Sequence, residues 1–269
     1  MRKVLVTTFH LSSISRTYNS GSGTNEVIAL RDLSLSLERG QITALVGPSG
    51  CGKTTLLNVL AGLDRQDSGT ILANGQPFVP EQVRFGYLFQ TPSLVPWRTV
   101  LGNAVLGCEI LGEQRRSREG RARELLERYG LGEFLNHYPA TLSAGMQQRV
   151  ALIRLVLYGA DVLLLDEPFR GLDYWIRREL QRNIAAIVEE KAITTVLVTH
   201  DIEEAVTLGD RIYVLSRRPA HVVAQYDVTV QRRQRLDANP GTVMEMTSIF
   251  QSVWNDLRDT YATAEASVQ

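Results

Sequence analysis

The stretch LVGPSGCGKTTLL, residues 45–57, decides how the rest of the sequence is read. An apolar run enters glycine-rich sequence and leaves it through Lys53, Thr54 and Thr55 into further leucines, the order of strand, loop and helix. Gly47, Pro48, Ser49, Gly50, Cys51, Gly52, Lys53 and Thr54 match the phosphate-loop pattern at each specified position. Glycines let backbone N–H groups converge on β- and γ-phosphates without side-chain obstruction. Lys53 brings a compact positive charge, Thr54 a hydroxyl for Mg2+, and the following helix adds its N-terminal dipole. The loop reads as a cradle for a nucleoside triphosphate, with Thr55 beside it.

Composition sets the outer limits. A chain of 269 residues with 44% hydrophobic content can bury one large core, or a core with an inserted lobe. Its 29 basic and 29 acidic residues cancel, which argues against nucleic acid as a direct partner. Cys51 and Cys108 are too few for a disulfide scaffold and suit a reducing compartment. The N-terminal MRKVLVTTFHLSS is interrupted early by polar residues and lacks a small-residue cleavage pattern, so no signal peptide is expected. No apolar run reaches the ~18 residues of a spanning helix.

Along the chain, LSLSLER (33–39) alternates Leu33, Leu35 and Leu37 with polar neighbours, as a strand of an antiparallel sheet does. Asn74-Gly75 between two short candidate strands is a hairpin signal. VLLLD (162–166) and TTVLVTH (194–200) are continuously apolar or β-branched, as strands covered on both faces are, and RIYVLS supplies another. The region 95–158 reads instead as a helical lobe: RARELLERYG sets Leu125, Leu126 and Tyr129 on one face with Gly130 as terminator, and a second helix follows LSAGMQQR. NSGSGTN (19–25) reads as a short flexible loop. Near the C-terminus, Thr242 and Glu245 fit a capping box ahead of Met246, Ile249, Phe250, Val253, Trp254 and Leu257 at helical spacing, a face for the core or for another chain. One domain, 1–258, with a flexible tail from 259 to 269, is the organisation expected.

Two strand ends supply what the cradle lacks. Asp166 is placed to orient the Mg2+ shell through water, and Glu167 to polarise the water that attacks the γ-phosphate. A strand merely ending in solvated acids before Pro168 is the bland alternative. His200 ends another strand, with Asp201 and Glu204 spaced as a capping box for the next helix; a neutral imidazole there can bridge to a γ-phosphate. The four histidines have no metal-ligand spacing.

Phosphate loop, LSAGMQQR (142–149), DVLLLDEP and the strand-end histidine, in this order, resemble the ATP-binding subunits of ABC transporters over nearly the whole chain. The resemblance implies an α/β fold: a RecA-like P-loop NTPase core with an antiparallel β-subdomain and an inserted helical subdomain. It implies ATP and Mg2+ as ligands. Tyr18 would stack on adenine, and Gln90 would reach Mg2+ and the attacking water. Ser143 and Gly145, at a helix start, would contact the γ-phosphate held by a second ATPase subunit, and Asp173 would communicate across that dimer. Residues 88–103, LFQTPSLVPWRTVLGN, are similar to the nitrate, sulfonate and taurine importers, although Pro96-Trp97 could equally serve packing. The implied machine is a bacterial importer at the cytoplasmic face of the membrane, with two ATPase subunits beneath a permease fed by an extracytoplasmic solute-binding protein. Two departures stand out. Ala144 replaces the first glycine of the usual signature, and Arg170-Gly171 replaces a commoner small-residue start of the dimer-communication loop. A soluble ABC ATPase acting on nucleic acid or ribosomes, and a weakly active nucleotide-gated structural partner, are the competing functions.

Overall fold

The computed structural model describes residues 8–19, 26–237 and 240–265, so most of the 19–25 loop and residues 266–269 lie outside the described residues. Strands and the first helix open the chain: β1 (Thr8–Asn19), β2 (Glu26–Glu38), β3 (Ile42–Val46), α1 (Lys53–Leu60), β4 (Ser68–Ala73), β5 (Gln76–Pro77) and β6 (Phe85–Leu88). Helices dominate the middle: α2 (Val100–Ala104), α3 (Leu106–Ile110), α4 (Arg115–Arg128), α5 (Ala144–Tyr158), then β7 (Val162–Asp166) and α6 (Tyr174–Lys191). The last third holds β8 (Thr194–Thr199), α7 (Ile202–Leu208), β9 (Arg211–Leu215), β10 (Val222–Asp227), α8 (Arg232–Asp237) and α9 (Pro240–Glu265). Two compact units result: the described parts of Met1–Val83 with Thr194–Gln269, and Arg84–Ile193.

In the first unit, one sheet is antiparallel with order β2-β1-β4-β5. The predicted alternation sets its register: Leu33, Leu35 and Leu37 are buried and face Ile14, Leu11 and Phe9 across the ladder. Burying each such leucine contributes about 1.5–3 kcal/mol, and a one-residue slip would expose all of them. Asn74 and Gly75 both take positive φ, 52° and 75°, which is what the two-residue hairpin joining Ala73 to Gln76 requires.

The second ladder of this unit runs β10-β9-β3-β8. β3 is parallel to both β8 and β9, while β10 returns antiparallel to β9. β3 and β8 are buried at every position, explaining their unbroken apolar and β-branched sequence. Val46 pairs with Thr199, so Gly47 and His200 leave the sheet side by side at the carboxyl ends of parallel strands. Ligand sites of α/β sheets form at that edge.

The helix α9 covers this ladder with Met246, Ile249, Val253 and Leu257, packed onto a cluster that includes Val46, Ile202 and Val214. Phe250 and Trp254 do not share that face. They are exposed, because helical geometry turns them a quarter-turn away from the Ile249–Val253 line. The helix runs on through Glu265, past the 258/259 boundary drawn from the sequence, and the side chains of Thr242 and Glu245 lie outside the described residues.

The second unit joins β6 and β7 in parallel to α2–α6, and the lobe expected at 95–158 falls within it. In α4 the buried face is Ala122, Leu126 and then Tyr129 just past its end, with Leu125 only half-buried; the small alanine takes the place expected of the leucine. Gly130 at φ 71° ends the helix as predicted. Fully buried Asn103 organises the 95–99 loop: its Oδ1 accepts from Val95 N at 2.7 Å, and its Nδ2 donates to the carbonyls of Val95, Arg98 and Thr99.

One buried cation secures the helix behind His200. Arg235 is wholly enclosed, and its guanidinium donates to the carbonyls of Val206, Thr207 and Gly209 at the end of α7, at 2.7, 3.1 and 2.6 Å. Burial pulls its pKa down to about 10, while the carboxylate of Asp210, 3.0 Å away, works against that shift. Asp210 also pairs with Arg232. Removing one member of a buried ion pair costs about 3–5 kcal/mol. Arg235→Met is therefore expected to lower unfolding free energy by about that amount in urea melts; a loss under about 1 kcal/mol would show that the guanidinium is replaceable by apolar volume.

Candidate active site

In the first unit, the phosphate loop is shaped by backbone demands that the sequence meets with glycine. Gly52 sits at φ 130°, and a Cβ there would come within 2.7 Å of the Ala29 carbonyl oxygen. Lys53 is 6% exposed and turns back over the loop, its Nζ donating to the carbonyls of Gly47 and Pro48 at 2.7 and 2.8 Å. Ser49, Gly50 and Thr54 are exposed, whereas Gly47, Pro48 and Cys51 are buried. Arg218 holds the loop from outside, donating through Nε and Nη2 to the Gly50 carbonyl at 3.1 and 2.7 Å. No side chain caps the N-terminus of α1, so the positive end of its dipole faces the loop.

His200 is exposed at the end of β8. The turn after it is fixed twice: Thr199 Oγ1 donates to Glu204 at 2.6 Å and accepts from Asp201 N, while Asp201 caps α7 through Glu203 N at 2.8 Å. Gly47, Ser49 and His200 line one cleft of about 650 Å³ whose far wall is Phe250, Trp254 and Tyr261 of α9. The two aromatics displaced from the core face thus border the loop. Tyr18 lies on β1, its hydroxyl donating to Asp64 at 2.6 Å and the Arg16 guanidinium 4.8 Å from its ring centre. Asp64 and Asp67 both hold Arg16, fixing that cation against the ring.

In the second unit, Leu88 pairs with Leu165, so the chain exits at Gln90 and at Asp166-Glu167 also lie at one edge. Tyr87 donates to Asp166 at 3.2 Å, and its ring stacks on Phe89 at 4.2 Å. Burial and then the Asp166 charge push the Tyr87 phenol far above its ordinary pKa, keeping it a donor to that carboxylate. Glu167 takes φ 47°, a left-handed conformation uncommon for glutamate and typical of residues held for function. Its carboxylate accepts from Arg170 at 3.1 Å, so the arginine singled out in the sequence lies against the carboxylate expected to polarise the attacking water. Gln90 is exposed; its carbonyl, with those of Phe89 and Pro168, accepts from Gln148. Asp173 caps α6, accepting from Trp175 N and Ile176 N at 3.1 Å each.

A family model described as ABC transporter matches residues 30–170, just over half of the chain. The chain belongs to the ABC transporter family. It is 43% identical over 196 residues to the taurine import ATP-binding protein TauB of Rhizobium johnstonii, covering 73% of this chain and 74% of that one. It is 33% identical to an uncharacterized ABC transporter ATP-binding protein, YtlC, of Bacillus subtilis over 92% of this chain and 95% of its relative. Its fold superposes on a dimeric post-hydrolysis structure of the ATP-binding cassette MJ0796 bound to ADP and Pi, with TM-score 0.69 and 28% identity over 83% of this chain and all of that one. The expected architecture of P-loop, RecA-like core with a helical subdomain is thereby the fold of this ABC protein.

The signature segment carries more structural work than its sequence suggested. Ser143 caps α5, accepting from Met146 N at 3.3 Å, and a hydroxyl used as acceptor still has its own hydrogen to donate. Ala144 is exposed, so its methyl points to the surface. Gly145 is buried, and a Cβ on it would lie 2.2 Å from Ile176 Cγ2. That glycine is needed for α5 to approach α6, whatever else it touches. Met146 stands where the family's usual signature, LSGGQ, has glutamine, a departure that sequence reasoning passed over. Gln148 was likewise missed, since a helix glutamine carries no motif signal. Gly145→Ala should destabilise the protein by about 1–3 kcal/mol through overpacking, and Ile176→Ala should restore most of that loss in the double variant. Equal destabilisation with and without Ile176→Ala would refute the packing account.

Proposed function

We infer that this chain is the ATP-binding and ATP-hydrolysing subunit of a bacterial ABC importer. The observation carrying the inference is the phosphate loop itself: a strained glycine, an inward lysine and an uncapped helix start, within a chain of this family. Backbone N–H groups of the Gly47–Thr55 loop, to which Pro48 contributes none, and the Lys53 ammonium hold the phosphates; Tyr18 supports the base. Thr54, Asp166 and Gln90 are assigned to Mg2+, which suits a cation held by one carboxylate and substrate oxygens rather than by an all-protein cage. When bound, Mg2+ neutralises charge developing on the β- and γ-phosphates. Tyr87 orients Asp166 for that role. Glu167 accepts a hydrogen bond from the attacking water and polarises it, and His200 holds the γ-phosphate end.

The same reading assigns Ser143 and Gly145 to the nucleotide of a second, identical subunit, with Asp173 near that contact. The dimeric relative supports this arrangement. A separate permease supplies the membrane path, since no helix of the described residues is long and apolar enough to cross a bilayer. Exposed Phe89 and Trp97, the latter 77% exposed on the loop organised by Asn103, form the docking face for it. An extracytoplasmic protein delivers the solute, which we assign to small polar solutes such as a sulfonate, taurine or nitrate, on the strength of the taurine-import relatives. The subunit then works at the cytoplasmic face of the membrane, held there by the permease.

Two variants test the chemistry in the assembled complex. Glu167→Gln keeps side-chain volume but weakens water polarisation, so kcat should fall about 10²–10⁴-fold with ATP binding retained. Near-normal turnover would remove Glu167 from its role. Arg170→Ala should act in the opposite direction. The Arg170–Glu167 pair is 57% and 16% exposed on its two sides, and exposed pairs are worth about 0.2–1 kcal/mol. Removing this one pair should raise kcat by no more than about fivefold. A fall in kcat would mean that the guanidinium orients Glu167 instead of restraining it.

A further inference from the structure

We propose that Gln148 is a positioning residue that fixes Gln90 and Glu167 relative to each other and ties both to the signature helix. The inference rests on the ATPase reading above. Gln148 is 2% exposed, one turn into α5 from Ser143. Its Nε2 donates to three carbonyls: Phe89 at 3.2 Å, Gln90 at 3.1 Å and Pro168 at 3.2 Å. These carbonyls belong to two chain exits. Phe89 and Gln90 follow β6, and Pro168 follows Glu167 at the end of β7. The β6–β7 ladder pairs Phe85–Leu88 with Val162–Leu165 and stops there. Beyond that point the Gln148 amide continues the cross-link that strand pairing no longer supplies.

The amide is used one-sidedly. Its two N–H groups serve three acceptors, while Oε1 is buried with no hydrogen-bond partner. Leucine or methionine there would remove the idle oxygen but leave the carbonyls of Phe89, Gln90 and Pro168 without this donor. The glutamine amide is a good choice for holding carbonyls. Glu167, strained at φ 47°, sits between the last ladder pair and the anchored Pro168 carbonyl, so its side-chain direction depends on that anchor. Gln90 is exposed, yet its backbone is held by the same nitrogen. Displacement of the α5 N-terminus, where Ser143 and Gly145 lie, would therefore move both residues together.

The test uses the full chain in its permease complex, with Gln148→Met to remove the donors and Gln148→Lys to restore donors aimed at carbonyls. For Gln148→Met we expect kcat to fall at least tenfold, with KM for Mg-ATP and the affinity for a fluorescent ATP analogue within about threefold of wild type. Gln148→Lys should recover kcat to within about threefold. Amide hydrogen exchange, measured on the same samples, should quicken at Gln90, Thr91, Phe169 and Arg170 in Gln148→Met alone. Unchanged exchange there, or a kcat that falls only in proportion to the nucleotide-binding sites lost, would overturn the proposal. If Gln148→Met does not fold, Gln148→Lys decides: wild-type-like kcat and exchange support the anchor, and loss of kcat with intact binding and unchanged exchange overturns it. A wild-type complex without ATPase activity would sink the ATPase reading, while the exchange measurement still judged the anchor.

Discussion

Where a parallel ladder stops, the carbonyls of the emerging loops must find donors other than a neighbouring strand. That constraint shapes the loops that follow β3, β6 and β7. After β3, Lys53 donates to Gly47 and Pro48 from within the loop, and Arg218 donates to Gly50 from outside it. After β6 and β7, Gln148 serves Phe89, Gln90 and Pro168. At the end of α7, Arg235 serves three carbonyls in the same fashion. Long donors with several N–H groups are suited to this task, because one side chain satisfies several acceptors that diverge from a common origin.

The arrangement also explains where the backbone is strained. Gly52 at φ 130°, immediately before α1, and Glu167 at φ 47°, immediately after β7, both lie where the chain must turn sharply while its amides stay directed. Glycine meets that demand in the phosphate loop without penalty from a side chain. Glutamate at the second position costs more, of order 1–3 kcal/mol, and persists because its surroundings over-determine it. Arg170, Pro168 and the β7 ladder supply those restraints. Stability and function pull in different directions at that residue, as they do in the stranded Oε1 of Gln148.

Much of the fold was legible because its signals are local or periodic. Leu33, Leu35 and Leu37 announced a one-sided strand, Asn74-Gly75 a tight hairpin, and VLLLD a strand buried on both faces. The phosphate loop was legible for a similar reason: glycine spacing and lysine position are fixed by covalent geometry around a phosphate chain. Signals that depend on packing between distant segments were not. Gly145 looked like a residue reserved for phosphate, yet Ile176, 31 positions later, already forbids a side chain there. In α4 the buried face passes through Ala122 rather than Leu125, because contact distance and not hydrophobicity selects the residue. Phe250 and Trp254 fit the apolar repeat of α9 but point away from the core cluster.

The signature segment brings these threads together. Its hydroxyl residue Ser143 caps α5, its glycine admits α6, and its second glutamine reaches two strand exits, all within six residues. A stretch that satisfies three packing or hydrogen-bonding demands at once cannot shift one of them alone. Any force applied at Ser143 or Gly145 is then transmitted as a rigid displacement of the helix start, and through Gln148 to the backbone beside Gln90 and Glu167. Ala144 is tolerable in this scheme because it is exposed and helix-favouring, and it takes part in none of the three constraints. A small-residue motif thus remains recognisable after losing a glycine, since the positions that the fold itself requires are Ser143, Gly145 and Gln148.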